Sequence, residues 1–348
     1  MTNVRDACST LIATLIEAMP EPVLVLSDSV RLVAANAPAR ALFPMLRLAG
    51  PLASSIRAVD LHDAVARVLT TGAAEDISWL ARAPVERLYQ AHVAAFGAGE
   101  EPYVAVTLHD ATESRRLEQM RVDFVANASH ELRTPLASLL GFIETLQGPA
   151  REDAGARKKF LDIMLQQARR MARLVDDLLS LSRIEQTLHV QPRAAVDLAA
   201  VAEHVCDALC PLAQDSRIRL ALEASITMVR GDRDELLRVA ENLIENAIKY
   251  SAPEPESPER TVWVTVEARD GAGALAVRDE GPGIAPENIP RLTERFFRVD
   301  IGQSRAKGGT GLGLALVKHI LARHRGRLEI KSRIGEGAAF TALVPLFD

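Results

Sequence analysis

At 348 residues, with 48% hydrophobic and 25% charged side chains, the chain has the size and makeup of two or three globular domains, which excludes a disordered class. Its 41 basic and 46 acidic residues leave a formal charge of −5, which argues against a nucleic-acid binder, and an aromatic share of 4% supplies few base-stacking surfaces. Three cysteines, Cys8, Cys206 and Cys210, cannot build a disulfide framework, so a cytosolic chain is expected.

Near the N-terminus, Leu11 to Leu26 is the most apolar stretch, but Glu17, Pro20, Glu21 and Pro22 interrupt it. It falls short of the roughly 18 apolar residues that a bilayer span requires. No basic segment leads into an apolar run and a cleavage site, so no signal peptide is expected. The expected location is cytoplasmic, with room for a membrane-associated or transporter partner. Pro22 to Leu26 and Arg31 to Asn36 read as two strands joined at Ser27-Asp28-Ser29. Leu61, Val65, Val68 and Leu69 have helical spacing, and Val104, Val106 and Leu108 alternate as in a half-buried strand. A small α+β sensor-type domain of about 100 residues follows from these elements.

From Thr112 to about Glu185 the period changes. Leu132, Leu136, Leu139, Ile143 and Leu146 step by three and four, and so do Phe160, Met164, Gln167, Met171, Leu174, Leu178 and Leu181 beyond Gly148-Pro149. Such steps form the seam of a helical bundle, and a short Gly/Pro loop between two such helices makes an antiparallel hairpin. One hairpin cannot bury both seams, so a homodimeric four-helix bundle is expected. Thr187 to Ala195 reads as a linker. Helices over Leu198–Leu212, Glu235–Tyr250 and Leu312–His324 then interleave with strands at Ile218–Leu222, Val262–Val266, Leu275–Val277, Leu328–Ile330 and Phe340–Val344. That order gives an α/β domain of about 150 residues. Pro253 to Arg260 reads as a solvated loop.

Three clusters carry chemistry. In Phe124 to Leu136, His130 lies off the Leu132/Leu136 seam and faces solvent. Neutral imidazole is a competent nucleophile, Glu131 can accept a proton from Nδ1, and Thr134 sits one turn further on the same face. Pro135 is expected to bend the helix just past the histidine. In Glu241 to Tyr250, Asn242 and Asn246 share a face with Lys249, offering a hard oxygen to Mg²⁺ and a point charge to phosphate. The third cluster is glycine-rich. Asp279-Glu280-Gly281-Pro282-Gly283 follows a strand, with Asp279 placed to accept from an adenine amino group, and Gly308-Gly309-Thr310-Gly311-Leu312-Gly313 opens a helix as a phosphate cradle. Neither part is a P-loop or a dinucleotide fingerprint. About 25 residues between them read as a lid over a nucleotide.

In this order and spacing, the chain resembles the bacterial sensor histidine kinases of two-component signalling. The octapeptide Ser129 to Leu136 resembles their phosphoacceptor box, Glu241 to Tyr250 the asparagine box, and the two glycine segments the glycine boxes. Thr293 to Arg298 resembles the lid segment and Gly335 to Phe340 the last glycine motif. The N-terminal region, ending in Asp110-Ala111-Thr112, resembles a PAS domain. The hairpin is most similar to the phosphate-regulon sensor kinases of alphaproteobacteria.

The resemblance implies a multidomain α+β chain. A PAS-like α/β sensor domain would span 10–112, a dimerising and phosphotransfer hairpin 113–188, and an α/β sandwich ATPase domain of the gyrase type 195–348. It implies that His130 is phosphorylated from ATP, that Glu131 is its base, and that Thr134 positions water for dephosphorylation of a response-regulator receiver domain. Asn246 would hold Mg²⁺, Asn242, Lys249 and Tyr250 would contact phosphate, and Asp279 would read adenine. Gly281, Gly283, Gly309, Gly311 and Gly313 would allow close backbone approach, with Thr310 and Leu312 in the same ATP-binding box.

Two departures stand out: kinases of this kind usually carry a transmembrane segment ahead of the PAS domain, and the region lacks the cysteine motif of flavin photoreceptors. His62, His92 and His109 read as ordinary histidines, not haem ligands. Cys206 and Cys210, four apart near His204, read as core packing and not as a metal site. A nucleotide-binding signalling scaffold and a gyrase- or chaperone-like ATPase are the competing classes. Intact His130, Asn246, Asp279 and the second glycine box argue against the scaffold, and an ATPase of that kind has no reason to carry a histidine followed by Glu-Leu-Arg-Thr-Pro on a dimerising hairpin.

Overall fold

The computed structural model describes residues 11–81, 86–97, 102–253, 257–299 and 309–347, without the Arg121 side chain. Cys8, residues 254–256 of the expected loop, and residues 300–308 of the expected lid and second glycine box, Gly308 among them, lie outside these. The chain divides into two compact units, Met1–Val125 and Ala126–Asp348.

In the first unit, β1 (Val23–Leu26), β2 (Leu32–Ala35), β3 (Glu75–Ala81), β4 (Arg87–Phe96) and β5 (Tyr103–Asp110) form an antiparallel sheet in the order β2-β1-β5-β4-β3. Alternation along β1 sorts its side chains between two faces. Leu24 and Leu26 join Val104, Val106 and Leu108 in the main core, which α3 (Val59–Thr71) completes with Leu61, Val65 and Val68. Val23 and Val25 join Ile16, from a helix over residues 11–17 (α1), in a smaller cluster. The buried Asn36 caps α2 (Ala37–Leu42) and ties α1 to the sheet. Its Oδ1 accepts from the Val23 and Ala39 amides at 2.9 and 3.1 Å, and its Nδ2 donates to the carbonyls of Ile16, Met19 and Glu21.

A long helix, α4 (Thr112–Gln147), runs from this unit into the second and is continuous through Pro135. With α5 (Ala154–Thr187), started by Asp153 accepting from the Ala156 amide at 2.9 Å, it forms the expected hairpin. Phe142 and Phe160 meet across it with ring centroids 5.1 Å apart, and Arg170 reaches Glu131 at 2.9 Å. Seam residues Leu136 and Ile143 remain 47% and 38% exposed in the single chain.

The rest of the second unit comprises β6 (Ala194–Asp197), α6 (Leu198–Asp215), β7 (Ile218–Ala224), β8 (Met228–Gly231), α7 (Arg233–Ser251), β9 (Arg260–Arg269), β10 (Ala272–Arg278), α8 (Gly313–Arg323), β11 (Arg327–Ser332) and β12 (Ala338–Pro345). A five-stranded sheet in the order β11-β12-β10-β9-β7, parallel only at β7–β9, carries α6, α7 and α8 as a second layer. The expected linker is corrected at its end: Ala194 and Ala195 begin β6, which pairs with β8. Each strand is only 4 residues long, too short to leave a readable period in the sequence. Among the described residues, no helix is long and apolar enough to cross a membrane.

Candidate active site

The site is built around α7. Asp232 caps it, accepting from the Asp234 and Glu235 amides at 3.0 and 3.2 Å. Acidic residues in its first turn and Lys249 in its last suit the helix dipole. Leu236, Val239, Ala240, Leu243, Ile244, Ala247 and Ile248 are buried at three- and four-residue steps, which leaves Asn242, Asn246 and Lys249 half-buried on the other side. Asn242 Nδ2 donates to the Arg238 carbonyl at 2.8 Å, Lys249 Nζ pairs with Glu245 at 2.8 Å, and Tyr250 is exposed.

Both glycine segments converge on this helix. After β10, Gly281 lies against the Tyr250 carbonyl, with space only for a hydrogen, and Gly283 turns the chain with φ +72°. Asp279 is buried, and its Oδ1 accepts from the Gly281 amide at 2.7 Å and the Ala338 amide at 3.3 Å. Burial pushes its carboxyl upward, opposed by those amides and by Arg260. Its other oxygen has no hydrogen bond among the described residues. Gly309, Thr310, Gly311 and Leu312 lead into α8. A Cβ at Gly313 would fall 2.2 Å from Asn242 Oδ1, and one at Gly311, whose φ is +74°, 2.9 Å from the Phe296 backbone. The Thr310 hydroxyl accepts from the Leu312 amide at 3.3 Å. The glycines ahead of α8 and Asn242 thus meet at one mouth, with Asn246 and Lys249 on the same side of α7, a composition suited to polyphosphate.

The hairpin meets this mouth directly. His130 is exposed, and the Thr134 hydroxyl one turn on donates to the His130 carbonyl at 3.2 Å. Glu131 Oε2 receives Arg170 Nη2 at 2.9 Å and Arg298 Nη2 at 3.0 Å. Arg298, only 5% exposed, rests against Gly311, and its buried Nε has no hydrogen-bond partner among the described residues. An unpaired buried donor costs about 1–3 kcal/mol, so this position is one where an anion is expected. Asp177 Oδ2 on α5 accepts from the Thr310 hydroxyl at 2.8 Å, and Glu185 pairs with Arg295 of the lid segment.

Sequence reasoning missed Asp177 and Arg170, and it quoted Arg298 without giving it a role. The available signal was the charged pair Asp176-Asp177 set into an otherwise apolar Leu-rich run. Cys206 is buried in the sandwich while Cys210 is exposed, so core packing describes only the first. His62, His92 and His109 serve local contacts, to the Ile56 carbonyl, Asp76 and Glu21.

Known proteins match this arrangement. Residues 120–187 match the His Kinase A (phospho-acceptor) domain, and residues 231–348 match the histidine kinase-, DNA gyrase B- and HSP90-like ATPase family. The phosphate regulon sensor protein PhoR of Pseudomonas aeruginosa is 42% identical over 260 residues, which is 74% of this chain and 56% of that protein. The sensor-like histidine kinase SenX3 of Mycolicibacterium smegmatis is 36% identical over 244 residues, 70% of this chain and 62% of that one. The chain therefore spans about three fifths of the length of these relatives. Among solved structures, the Acinetobacter baumannii histidine kinase AdeS aligns with TM-score 0.50 and 29% identity, covering 63% of this chain and 98% of that one. Histidine kinase ThkA, solved in complex with response regulator protein TrrA, shares the fold with TM-score 0.51 at 19% identity, over 96% and 98% of the two chains. An exposed histidine on a matched phosphoacceptor hairpin, next to a Glu131 that pairs with Arg298 of a matched ATPase sandwich, leads to one conclusion: the chain belongs to the sensor histidine kinase family.

Proposed function

We propose that the chain is an ATP:protein-histidine phosphotransferase acting as a homodimer in two-component signalling. One juxtaposition carries the reading. The exposed His130 and the glycine-lined mouth belong to a single compact unit, with Arg298 touching both Gly311 of the mouth and Glu131 beside the histidine. In the reaction, the Nε2 lone pair of neutral His130 attacks the γ-phosphorus. A P–N bond forms while the bond to the β–γ bridging oxygen breaks, ADP leaves with that electron pair, and the Nδ1 proton passes to Glu131. The work lies in positioning and charge neutralisation.

Asn242, Lys249 and Tyr250 would meet phosphates, Asp279 the adenine amino group, and Gly281, Gly283 and Gly309 to Gly313 the phosphate chain. Asn246 presents a hard carboxamide oxygen beside them, which fits Mg²⁺, and a bound Mg²⁺ would supply positive charge against the phosphates. The phosphoryl group then passes to an aspartate of a response-regulator receiver domain docking near His130, with Thr134, exposed one turn on, orienting water for the reverse hydrolysis. Leu136, Leu140, Ile143, Leu161, Leu165 and Leu179 form the exposed apolar surface that a second copy would cover.

Residues 10–112 fit a PAS-like sensor because of the strand order β2-β1-β5-β4-β3 with helices between β2 and β3, and α4 would carry its signal toward 113–188 and the catalytic domain 195–348. Phosphate-responsive signalling in the cytoplasm is the favoured pathway because the PhoR relative is 42% identical. The narrower likeness to alphaproteobacterial kinases rests on the hairpin sequence. The test is incubation with Mg²⁺ and γ-labelled ATP beside His130→Ala. Acid-labile, alkali-stable label that is absent in the variant supports the reading. Absence of label with ATP bound would favour a scaffold.

A further inference from the structure

The groups in the nucleotide mouth that are built to hold anions are already engaged by carboxylates of the hairpin. Thr310, whose hydroxyl accepts from the Leu312 amide just ahead of α8, donates to Asp177 Oδ2 at 2.8 Å, and Arg298 places Nη2 3.0 Å from Glu131 Oε2. A helix N-terminus and a guanidinium each favour negative charge, whether it comes from a carboxylate or from a phosphate. The two carboxylates come from different helices of the hairpin and reach the same glycine segment, Asp177 through Thr310 within it and Glu131 through Arg298, which abuts Gly311. Arg298 also keeps a buried Nε–H that has no partner among the described residues, so the carboxylate only partly meets its donor capacity there.

We propose that Asp177 and Glu131 act as phosphate surrogates, holding the ATPase domain docked on its own hairpin in a resting arrangement that a nucleotide triphosphate must displace. The inference rests on the reading that this mouth cradles ATP phosphates, and it adds a regulatory step to it. Burial raises the Asp177 carboxyl above the ordinary range, while Thr310, Arg238 and Arg173 oppose this and Glu245 adds to it. Such a charge is incompletely compensated, so an incoming triphosphate has a ready competitor to dislodge. Because ligand affinity is scaled by the fraction of protein in the competent state, weakening the surrogates must raise apparent triphosphate affinity.

The experiment compares the full chain with Asp177→Asn, Glu131→Gln and the exposed-surface control Asp176→Asn. The magnesium complex of the β,γ-imido analogue of ATP is titrated by calorimetry, and adenosine is followed by saturation-transfer NMR. Asp177→Asn and Glu131→Gln should each tighten the triphosphate analogue by about fivefold or more, the lower end of typical coupling between sites. Adenosine, which has no phosphate, should bind all variants alike, and Asp176→Asn should match the parent. A variant that loses adenosine has lost its fold, and the other variant then decides. Triphosphate affinity within twofold of the parent in a folded variant, or weaker, overturns the proposal. Should the parent bind adenosine but not the analogue, or neither, the phosphate reading itself fails and this inference with it.

Discussion

Gly313→Ala separates the shape of the mouth from the stability of the fold. Gly313 is the first residue of α8 and its φ lies outside the left-handed region, so alanine meets no backbone strain there. The new methyl would stand 2.2 Å from Asn242 Oδ1, where ordinary contact begins at 3.4 Å. The amide must therefore move by about 1 Å, which no rotamer change elsewhere avoids. Moving it strains the 2.8 Å bond from Asn242 Nδ2 to the Arg238 carbonyl. That bond is worth about 0.5–1.5 kcal/mol, and the higher helix propensity of alanine returns up to about 1 kcal/mol. The net change in stability stays within about 1 kcal/mol, or roughly 2–4 °C in Tm for a unit of this size. Binding responds differently. Losing one hydrogen bond to a charged phosphate costs about 1.5–3 kcal/mol, or roughly 10- to 150-fold in Kd. Differential scanning calorimetry and titration with the imido analogue of ATP measure the two quantities on one preparation. Unchanged affinity would falsify the placement of Asn242 in the phosphate site, and a large fall in Tm would show that the amide cannot yield as argued.

Two further outcomes follow from buried titratable groups. His324 is fully buried, accepts from the Asp232 amide at Nε2 (3.0 Å) and lies 2.8 Å from the Ile320 carbonyl through Nδ1, so it is the neutral Nδ1–H tautomer. Burial holds its pKa below the ordinary histidine value. On acidification the unfolded chain takes the proton first, so this stability is complete above about pH 6.5 and is lost below it, at up to about 1.4 kcal/mol per pH unit. Urea unfolding from pH 7.5 to 5 should show a steeper fall for the parent than for His324→Gln; equal slopes would remove the histidine from the account. Burial also pushes the Cys206 thiol up to about 11, while Cys210 is exposed on the same helix. At pH 8, about one thousandth of Cys206 is thiolate, so a short iodoacetamide pulse read by peptide mass spectrometry should label Cys210 and spare Cys206. Comparable labelling of both would mean that α6 opens readily.

Residues that keep a period were legible from the sequence. The three- and four-residue steps of α4, α5 and α7 placed the hairpin and the asparagine helix, because one buried stripe per helix leaves a periodic trace. β3 alternates in burial at the sheet edge, yet Glu75 on its inner side and the exposed Leu80 on its outer side blur the apolar–polar contrast that a sequence shows. Asn36 ties three elements through five hydrogen bonds, yet in the sequence it is one polar residue at a strand end. The glycine segments announced a phosphate cradle through composition, but their convergence on α7 depends on packing so close that a Cβ at Gly313 would fall 2.2 Å from Asn242 Oδ1 and one at Gly281 3.1 Å from the Tyr250 carbonyl, which no local pattern encodes. The same holds for Asp177 and Thr310, separated by 133 residues.

On the roles proposed for it, Glu131 would do two things that cannot coincide. As the base for His130 it needs a lone pair directed at the Nδ1 proton, whereas in this arrangement Oε2 sits between the guanidiniums of Arg170 and Arg298. A carboxylate shared by two cations is a poor proton acceptor, because protonation would cancel both attractions. Arg170 belongs to the hairpin and moves with Glu131, so it can orient the carboxylate throughout. Arg298 belongs to the ATPase domain and must leave before the base can work. On the proposed roles, a phosphate arriving at Arg298 Nε, which has no partner among the described residues, would give it a reason to leave and set an order: nucleotide first, release of Glu131 second, attack by His130 third. On this logic the resting contact also protects against idle chemistry, since the histidine gains its base only when a phosphoryl donor has taken the arginine.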